Sequence, residues 1–154
     1  MWAEFYWLII FNMVSKAESK KLRQQFWTSF GIVFRRKWVL YDTGIKELQL
    51  KFNFNRKFAQ VSIDVIDEDP LIRAYYFEKL LSLKNILVSE YLPETVFEEE
   101  YELPEGKIVS RVYVQLDGVN IHNRQHWPEV MKFLSDNMLK MEGFFEEYRD
   151  FIST

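Results

Sequence analysis

The residues of this chain whose types and spacing could support chemistry begin with its two histidines, His122 and His126. On a helix, this i, i+4 spacing would place both imidazoles on one face, as in many zinc sites. Asn123 between them is a favourable helix N-cap, however, which would leave His122 outside the helix. No third ligand stands at a suitable spacing, so we expect a polar helix start and no metal site.

A second candidate is the run Glu98-Glu99-Glu100, because carboxylate oxygens are the ligands that magnesium prefers. On a strand, however, neighbouring residues point to opposite faces, so the three carboxylates cannot converge on one ion. We expect Glu98 and Glu100 to face Arg111 and Lys107 across a hairpin.

A third pattern is that of PD-(D/E)XK-type nucleases, in which carboxylates hold magnesium and a lysine helps to position the attacking water. Gln49-Leu50-Lys51 follows Asp42 in the required order, but an amide replaces the usual carboxylate. The same residues fit a solvent-facing strand. The chain also has no Ser/His/Asp ordering and no glycine-rich phosphate loop, so we expect no catalytic residues and no cofactor.

Composition indicates one domain with an ample core, since the 154 residues are 48% apolar and 18% aromatic. The chain has no cysteine, which excludes disulfides, thiolate catalysis and thiolate-containing zinc sites. This composition fits a reducing compartment, and we expect a cytoplasmic protein.

Charge is distributed unevenly along the chain. Residues 1–60 hold eleven Lys/Arg and four Asp/Glu, a net charge of +7, whereas residues 61–154 hold nine and nineteen, a net charge of −10. In the basic half, cations and aromatic residues coincide, which is the pattern of a surface that binds phosphates and stacks bases. The predicted binding residues are Arg35, Arg36, Lys37, Trp38, Tyr41, Lys51, Asn53, Arg56 and Lys57.

The alternative interpretation of this basic half is charge pairing with the acidic half, within one molecule or between two copies. If the basic half is a binding surface, we expect charge reversal of Arg35, Arg36 and Lys51 to abolish binding without unfolding the domain, since exposed charges contribute little to stability. Unfolding on charge reversal would show instead that these residues neutralise the acidic half.

The first twelve residues, MWAEFYWLIIFN, are almost entirely apolar. They are too short to span a membrane, which needs about 20 apolar residues, and they lack the positive leader of a secretory signal. Ser15-Lys16-Ala17-Glu18 is a capping box that would begin a helix just after Met13. We therefore predict that residues 1–12 are a dispensable extension and that residues 13–154 form a single domain without a membrane contact.

Hydrophobic periodicity predicts the elements that follow. A helix runs from Ser15 to about Phe34, and strict alternation in residues 47–54 and 58–65 predicts a β-hairpin. Asp69 as N-cap and Pro70 at the first helical position begin a second helix that Pro93 closes. A long C-terminal helix carries an apolar stripe from Trp127 onward.

The second hairpin lies in residues 95–116, with LPEG as its turn. We expect Glu98 opposite Arg111 on one face, and Phe97 opposite Val112 and Tyr101 opposite Ile108 on the other. The predicted fold class is α+β, an antiparallel four-stranded sheet from two hairpins with three helices, in the order α-β-β-α-β-β-α.

Several of these segments together resemble a known bacterial family, domain of unknown function 4268, in its compact Bacteroidetes-type form. They are FWTSFG, RKWVLYDTGIK, KFNFNRKFAQVSIDV, YYFEKLLSLKNILVSEYLPE and EGKIVSRVYVQL. The resemblance runs from about Met13 to the C-terminus. It implies a module that accompanies nuclease-like or restriction-associated regions in larger proteins, and it brings no catalytic residues.

Three functions follow in order of preference. The first is a small non-catalytic interaction module that binds a protein partner or forms a homo-oligomer. The alternative is a nucleic-acid-binding accessory domain of a bacterial restriction or defence system, contacting DNA or RNA. The third is a degenerate PD-(D/E)XK-like nuclease. Steep weakening of DNA or RNA binding by salt separates the second function from the first.

Overall fold

In a computed structural model, the backbone is described for residues 2–154, and the side chains are described for residue 4 and residues 15–154. The elements are α1 (Trp2–Val33), β1 (Leu48–Phe54), β2 (Phe58–Val65), α2 (Pro70–Ser82), α3 (Lys84–Ile86), a π-helical turn (Leu87–Tyr91), β3 (Val96–Glu102), β4 (Ile108–Asp117), a 3-10 turn (Arg124–His126) and α4 (Trp127–Ser153). The predicted α+β order, α-β-β-α-β-β-α, is confirmed.

The four strands form one antiparallel sheet in the order β1-β2-β4-β3. The second strands of the two hairpins therefore lie side by side in the centre, and β1 and β3 are the two edges. In the first hairpin Phe52 lies opposite Val61 and Lys51 opposite Ser62, with no shift of register. The alternation in the sequence predicts this hairpin correctly.

One face of the sheet carries the hydrophobic core. Alternate residues of the strands point to this face, and the helices cover it with Phe26 and Phe30 from α1, Phe77 from α2, and Leu134 from α4. The core residues of the strands are Leu48, Leu50, Phe54, Ala59, Val61, Ile63, Val65, Val112 and Val114. The opposite face carries the intervening, mostly polar residues.

The capping box at Ser15 does not start the first helix, because α1 begins at Trp2 and Ser15 lies inside it. No glycine or proline interrupts the chain before Gly31, so nothing in the local sequence prevents the helix from continuing through the box. The prediction that residues 1–12 are dispensable concerns side chains that, apart from Glu4, lie outside the described residues. It stays a prediction.

No helix in the part of the chain that the structure describes combines the length and the apolar character needed to cross a membrane.

The second predicted helix starts as expected but does not run unbroken. The side chain of Asp69 accepts a hydrogen bond from the Leu71 N–H, with Pro70 at the first helical position. Leu83 leaves helical geometry at φ −95° and ψ 5°, and the chain continues as α3 and the π-helical turn up to Tyr91. Periodicity alone does not reveal such a local break.

A β-bulge corrects the predicted register of the second hairpin. Phe97 lies opposite Val112 and Glu98 opposite Arg111, as predicted, but the register shifts between Glu98 and Tyr101. Tyr101 therefore lies opposite Val109 rather than Ile108. Since a shift of one residue exchanges the faces, Tyr101 joins Arg111 on the polar face.

Candidate interaction surface

A buried carboxylate holds the segment between α1 and β1 onto the body of the protein. Glu142 of α4 accepts hydrogen bonds from Arg36 Nη2 and from the Val39 N–H, both at 2.7 Å. The Arg36 guanidinium also lies 4.4 Å from the ring centroid of Trp38. Arg36 is thus engaged in an ion pair within the molecule. The expectation that its charge contributes little to stability stays a prediction.

Trp38 is likewise occupied by packing. Its ring stacks on Phe30 at 6.1 Å between centroids and meets Phe52 edge-on at 5.3 Å. Such aromatic pairs stabilise the fold beyond the area they bury. Trp38 therefore joins the loop to the core, and its ring contacts these aromatics rather than lying free for a base to stack on.

Beyond Trp38 the chain turns back onto the edge of the sheet. The Leu50 N–H donates to the Leu40 carbonyl at 2.8 Å, and the Thr43 hydroxyl donates to the Leu48 carbonyl at 2.9 Å. Leu40 has a φ of 47°, in the left-handed region that leucine rarely adopts. Backbone strain of this kind occurs often at functional sites.

A groove of about 330 Å³ lies next to the bond between Leu50 and Leu40. Its lining is Trp27, Leu40, Tyr41, Gln49, Leu50, Lys51 and Phe52. Tyr41 is 81% exposed and forms one wall, while Lys51 brings a positive charge and no acidic side chain lines the groove. The structure thus brings together two of the predicted binding residues, Tyr41 and Lys51.

Residues 49–52 of the edge strand β1 line this groove. Ile66 N–H donates to the Glu47 carbonyl across the hairpin, whereas the Leu50 N–H points away from β2 to Leu40. Because these directions alternate along an antiparallel strand, Phe52 and Phe54 also point their N–H groups away from β2. Among the described residues, neither N–H has a backbone partner on that side.

The other predicted binding residues are spread along the surface. Arg35 is exposed just after α1, and Lys37 is exposed with its Nζ 3.8 Å from Asp42 Oδ2. Asn53 is half-buried on the polar face. Arg56 and Lys57 are exposed at the tip of the first hairpin, away from the groove.

Charge pairing between the two halves of the chain is limited. Among the described side chains, Arg36–Glu142 is the one ion pair that joins a cation of residues 1–60 to an acid of residues 61–154. Pairing within one molecule therefore does not neutralise the basic half.

The polar face of the sheet holds a network that the sequence patterns did not reveal. Arg111 Nε and Nη2 donate to the two carboxylate oxygens of Asp64 at 2.8 and 2.7 Å, and Arg111 Nη1 donates to Gln60 Oε1 at 2.9 Å. The sequence predicts that Arg111 faces Glu98, and it gives no sign of the pair with Asp64. Burial lowers the pKa of Arg111, but the hydrogen bond and charge of Asp64 raise it by more, so the net direction is upward.

Two tyrosines extend this network to the β3 edge. The Tyr101 ring lies 4.3 Å from the Arg111 guanidinium, and the Tyr113 hydroxyl donates to Glu98 Oε1 at 2.5 Å. Burial, followed by the hydrogen bond to Glu98, raises the pKa of Tyr113 well above its ordinary value. The sequence indicates this network only through the alternation of polar residues in β2 and β4. That alternation becomes informative once these two strands are known to be neighbours.

The two histidines both take part in hydrogen bonds within the molecule. His122 Nε2 lies 2.8 Å from Ser19 Oγ and so joins its loop to α1, whereas His126 Nδ1 accepts from the Asn120 N–H at 3.0 Å and stabilises its own loop. Asn123 caps the 3-10 turn before α4, close to its predicted role. Within the described residues, no group of three potential ligands could hold a metal ion.

Comparison with known proteins identifies the family of the chain. No curated protein and no solved structure matches it. A family model described as "Domain of unknown function (DUF4268)" matches residues 22–149, which include both hairpins, α2 and most of α4. The chain therefore belongs to the DUF4268 family.

Proposed function

We propose that this protein is a non-catalytic interaction module that binds an extended, acidic segment of a partner protein along the β1 edge. The observation that carries the proposal is the pair of outward N–H groups at Phe52, which lines the groove with the exposed Tyr41, and at Phe54 farther along β1. A strand added at such an edge gains main-chain hydrogen bonds, and the groove receives alternate side chains. The proposal includes a cytoplasmic location.

The contrast between the two edges of the sheet supports this proposal. Natural proteins block exposed edges with charges, prolines and bulges. The β3 edge has a bulge and the acidic run Glu98–Glu100, whereas β1 has a regular register, no proline and one lysine. The β1 edge thus has neither a bulge nor a proline. Its charge is Lys51, and the loop before it covers Leu48 and Leu50, so the stretch from Phe52 to Phe54 is the less protected part of this edge.

The charge around the groove indicates the character of the partner. Lys51 lies in the lining without an acid beside it, and the basic half of the chain forms one described ion pair with the acidic half. An acidic segment would bring opposite charge to this edge, which favours encounter and orientation.

The test measures binding of a fluorescein-labelled peptide of alternating glutamate and valine to the full chain by fluorescence anisotropy. The matched probe replaces glutamate by lysine. We expect the acidic peptide to bind and the basic one to bind at least about tenfold more weakly, since like charges would meet at Lys51. Equal binding of the two peptides, or no binding of either, would contradict the proposal.

Variants of the groove locate the binding site. We expect Tyr41→Ala and Lys51→Glu each to weaken binding of the acidic peptide. Leu71→Ala is the matched control for Tyr41, because Leu71 is also 81% exposed but lies at the start of α2. Lys107→Glu is the control for Lys51. If the two controls weaken binding as much as the groove variants do, the β1 edge is not the site.

A further inference from the structure

Three segments that are distant in the chain meet at one end of the molecule. The Gly118 N–H donates to the Lys57 carbonyl at 3.2 Å, and the Ile121 N–H donates to the Asn55 carbonyl at 3.0 Å. These bonds join the tip of the first hairpin to the loop after β4. His122 in the same loop lies 2.8 Å from Ser19 of α1, which brings the helix to the same place.

Each of the three segments contributes exposed cations to this region, which we name the basic end. Its cations are Lys21, Arg23, Arg56, Lys57 and Arg124, all of them exposed. None of them forms an ion pair among the described residues. Arg23 donates to Ser19 Oγ and Arg124 donates to Gln25 Oε1, so two guanidinium groups are held in place by neutral partners.

The surroundings of the basic end offer little negative charge. Glu18 lines a cleft together with Lys21 and Arg124, and Asp117 accepts a hydrogen bond from Gln115 at the end of β4. An adjoining cleft is lined by Leu22, Asn120, His122, Asn123, Arg124 and Gln125. Amide and imidazole groups therefore stand beside the cations, and all of these can hydrogen-bond to phosphate and sugar oxygens.

We propose that the basic end binds the phosphate backbone of nucleic acid, a function separate from peptide binding at the β1 edge. Cations spread over three segments match a polymer with regularly spaced phosphates better than they match one isolated phosphate. An anionic membrane surface is the less favoured ligand. None of the large apolar side chains that the structure describes as exposed lies among the residues of the basic end, so an apolar insertion into lipid has no described contact there.

The test uses a fluorescein-labelled 20-nucleotide single-stranded DNA of mixed sequence and the corresponding duplex, with fluorescence anisotropy between 50 and 200 mM salt. If at least three cations each replace a counterion, the logarithm of the affinity should fall with the logarithm of salt at a slope of about −2 to −3. No binding of either DNA at 50 mM salt would overturn the proposal.

Charge reversal separates the basic end from a general electrostatic attraction. Arg56→Glu with Lys57→Glu should weaken DNA binding by about tenfold or more, and Lys21→Glu should weaken it in an independent segment. The matched control, Lys107→Glu with Lys140→Glu, changes the net charge by the same amount as the first pair, at exposed positions elsewhere. Equal weakening by the control pair would overturn the assignment of the site.

Competitors distinguish nucleic acid from other anions. Unlabelled DNA should displace the labelled probe at far lower concentration than polyglutamate or phosphatidylserine-containing vesicles of equal charge. Displacement at equal charge concentration would show attraction to any polyanion and would overturn the proposal. Tyr41→Ala should weaken binding of the acidic peptide and leave DNA binding unchanged. Peptide binding at the β1 edge and DNA binding at the basic end can therefore be refuted independently of each other.

Discussion

The guanidinium of Arg111 and the carboxylate of Asp64 form two parallel hydrogen bonds between the central strands β4 and β2, with 2% and 1% of the two residues exposed. Asp64 lies directly opposite Arg111 in the register of these strands. A one-residue slip of either strand would move its own charge to the apolar face and leave the other charge buried without its partner, so the pair favours the observed register at the junction of the two hairpins.

Removing one partner of this pair should be costly. We expect Arg111→Met to lower the free energy of unfolding by about 3–5 kcal/mol, because the carboxylate of Asp64 would remain buried without its counter-charge. Urea denaturation gives this value. The double variant Asp64→Leu with Arg111→Met should lose less than Arg111→Met alone. A loss below about 1 kcal/mol in the single variant would show that the pair has no such role.

Glu142 should be essential for holding the loop before β1. Glu142→Ala removes the acceptor of the Val39 N–H and the Arg36 guanidinium, and we expect a loss of about 2 kcal/mol. Most of it should come from Val39, since the Arg36 side chain is 42% exposed. Arg36→Glu should also destabilise the fold by placing two carboxylates together, whereas Arg35→Glu should not. Equal stability of Arg36→Glu and Arg35→Glu in urea denaturation would contradict this role.

The hydrogen bond between Tyr113 and Glu98 should make stability depend on pH in the alkaline range. The pKa of Tyr113 is raised in the folded protein by burial and by Glu98, so the folded state holds this proton above pH 10, where an unfolded tyrosine loses it. The corresponding stability is present below about pH 10 and declines as the pH rises further.

Tyr113→Phe provides the measurement of this effect. At pH 8 the variant should be less stable than the wild-type chain by about 1 kcal/mol, because it lacks the hydrogen bond. The difference should shrink between pH 10 and pH 11, since only the wild-type chain loses the Tyr113 contribution. A difference that stays constant over this range would show that the environment of Tyr113 is not as described.

A chain that begins at Met13 should melt at the same temperature as the full chain. The described side-chain contacts of α1 with the rest of the protein begin at Ser19, which bonds to His122, and continue through Phe26 and Phe30. All of them remain in the shorter chain. A melting temperature several degrees lower in differential scanning calorimetry would show that residues 1–12 contribute to the core.

The sequence predicts the elements with strong local patterns. The alternation of Leu50 and Phe52 with Lys51 defines the first hairpin, and Asp69 with Pro70 defines the start of α2. The pairing of β2 with β4 has no such local signal, because it depends on how the two hairpins dock. The Asp64–Arg111 pair and its network therefore could not be derived from spacing.

For the same reason, the sequence predicts only some features of the candidate site. Exposed residues such as Tyr41 and Lys51 can be recognised from charge and alternation, and they lie together at the groove. Arg36 and Trp38 are a cation and an aromatic residue in the same basic segment, so the sequence does not distinguish them from Tyr41 and Lys51. In the structure Arg36 contacts Glu142, which is distant in the chain, and Trp38 packs on Phe30. Long-range contacts decide which cations and aromatics remain available, and a single sequence does not contain that information in local form.

Amide hydrogen exchange at Phe52, followed by NMR in the full chain, tests the central claim most directly. In the free protein, the Phe52 amide should exchange much faster than the neighbouring Lys51 amide, which faces β2. Addition of the glutamate–valine peptide should slow exchange at Phe52 and leave Lys51 unchanged, because an added strand would accept the outward N–H. Equal protection of the two amides in the free chain, or exchange at Phe52 that saturating peptide does not alter, would contradict strand addition at the β1 edge.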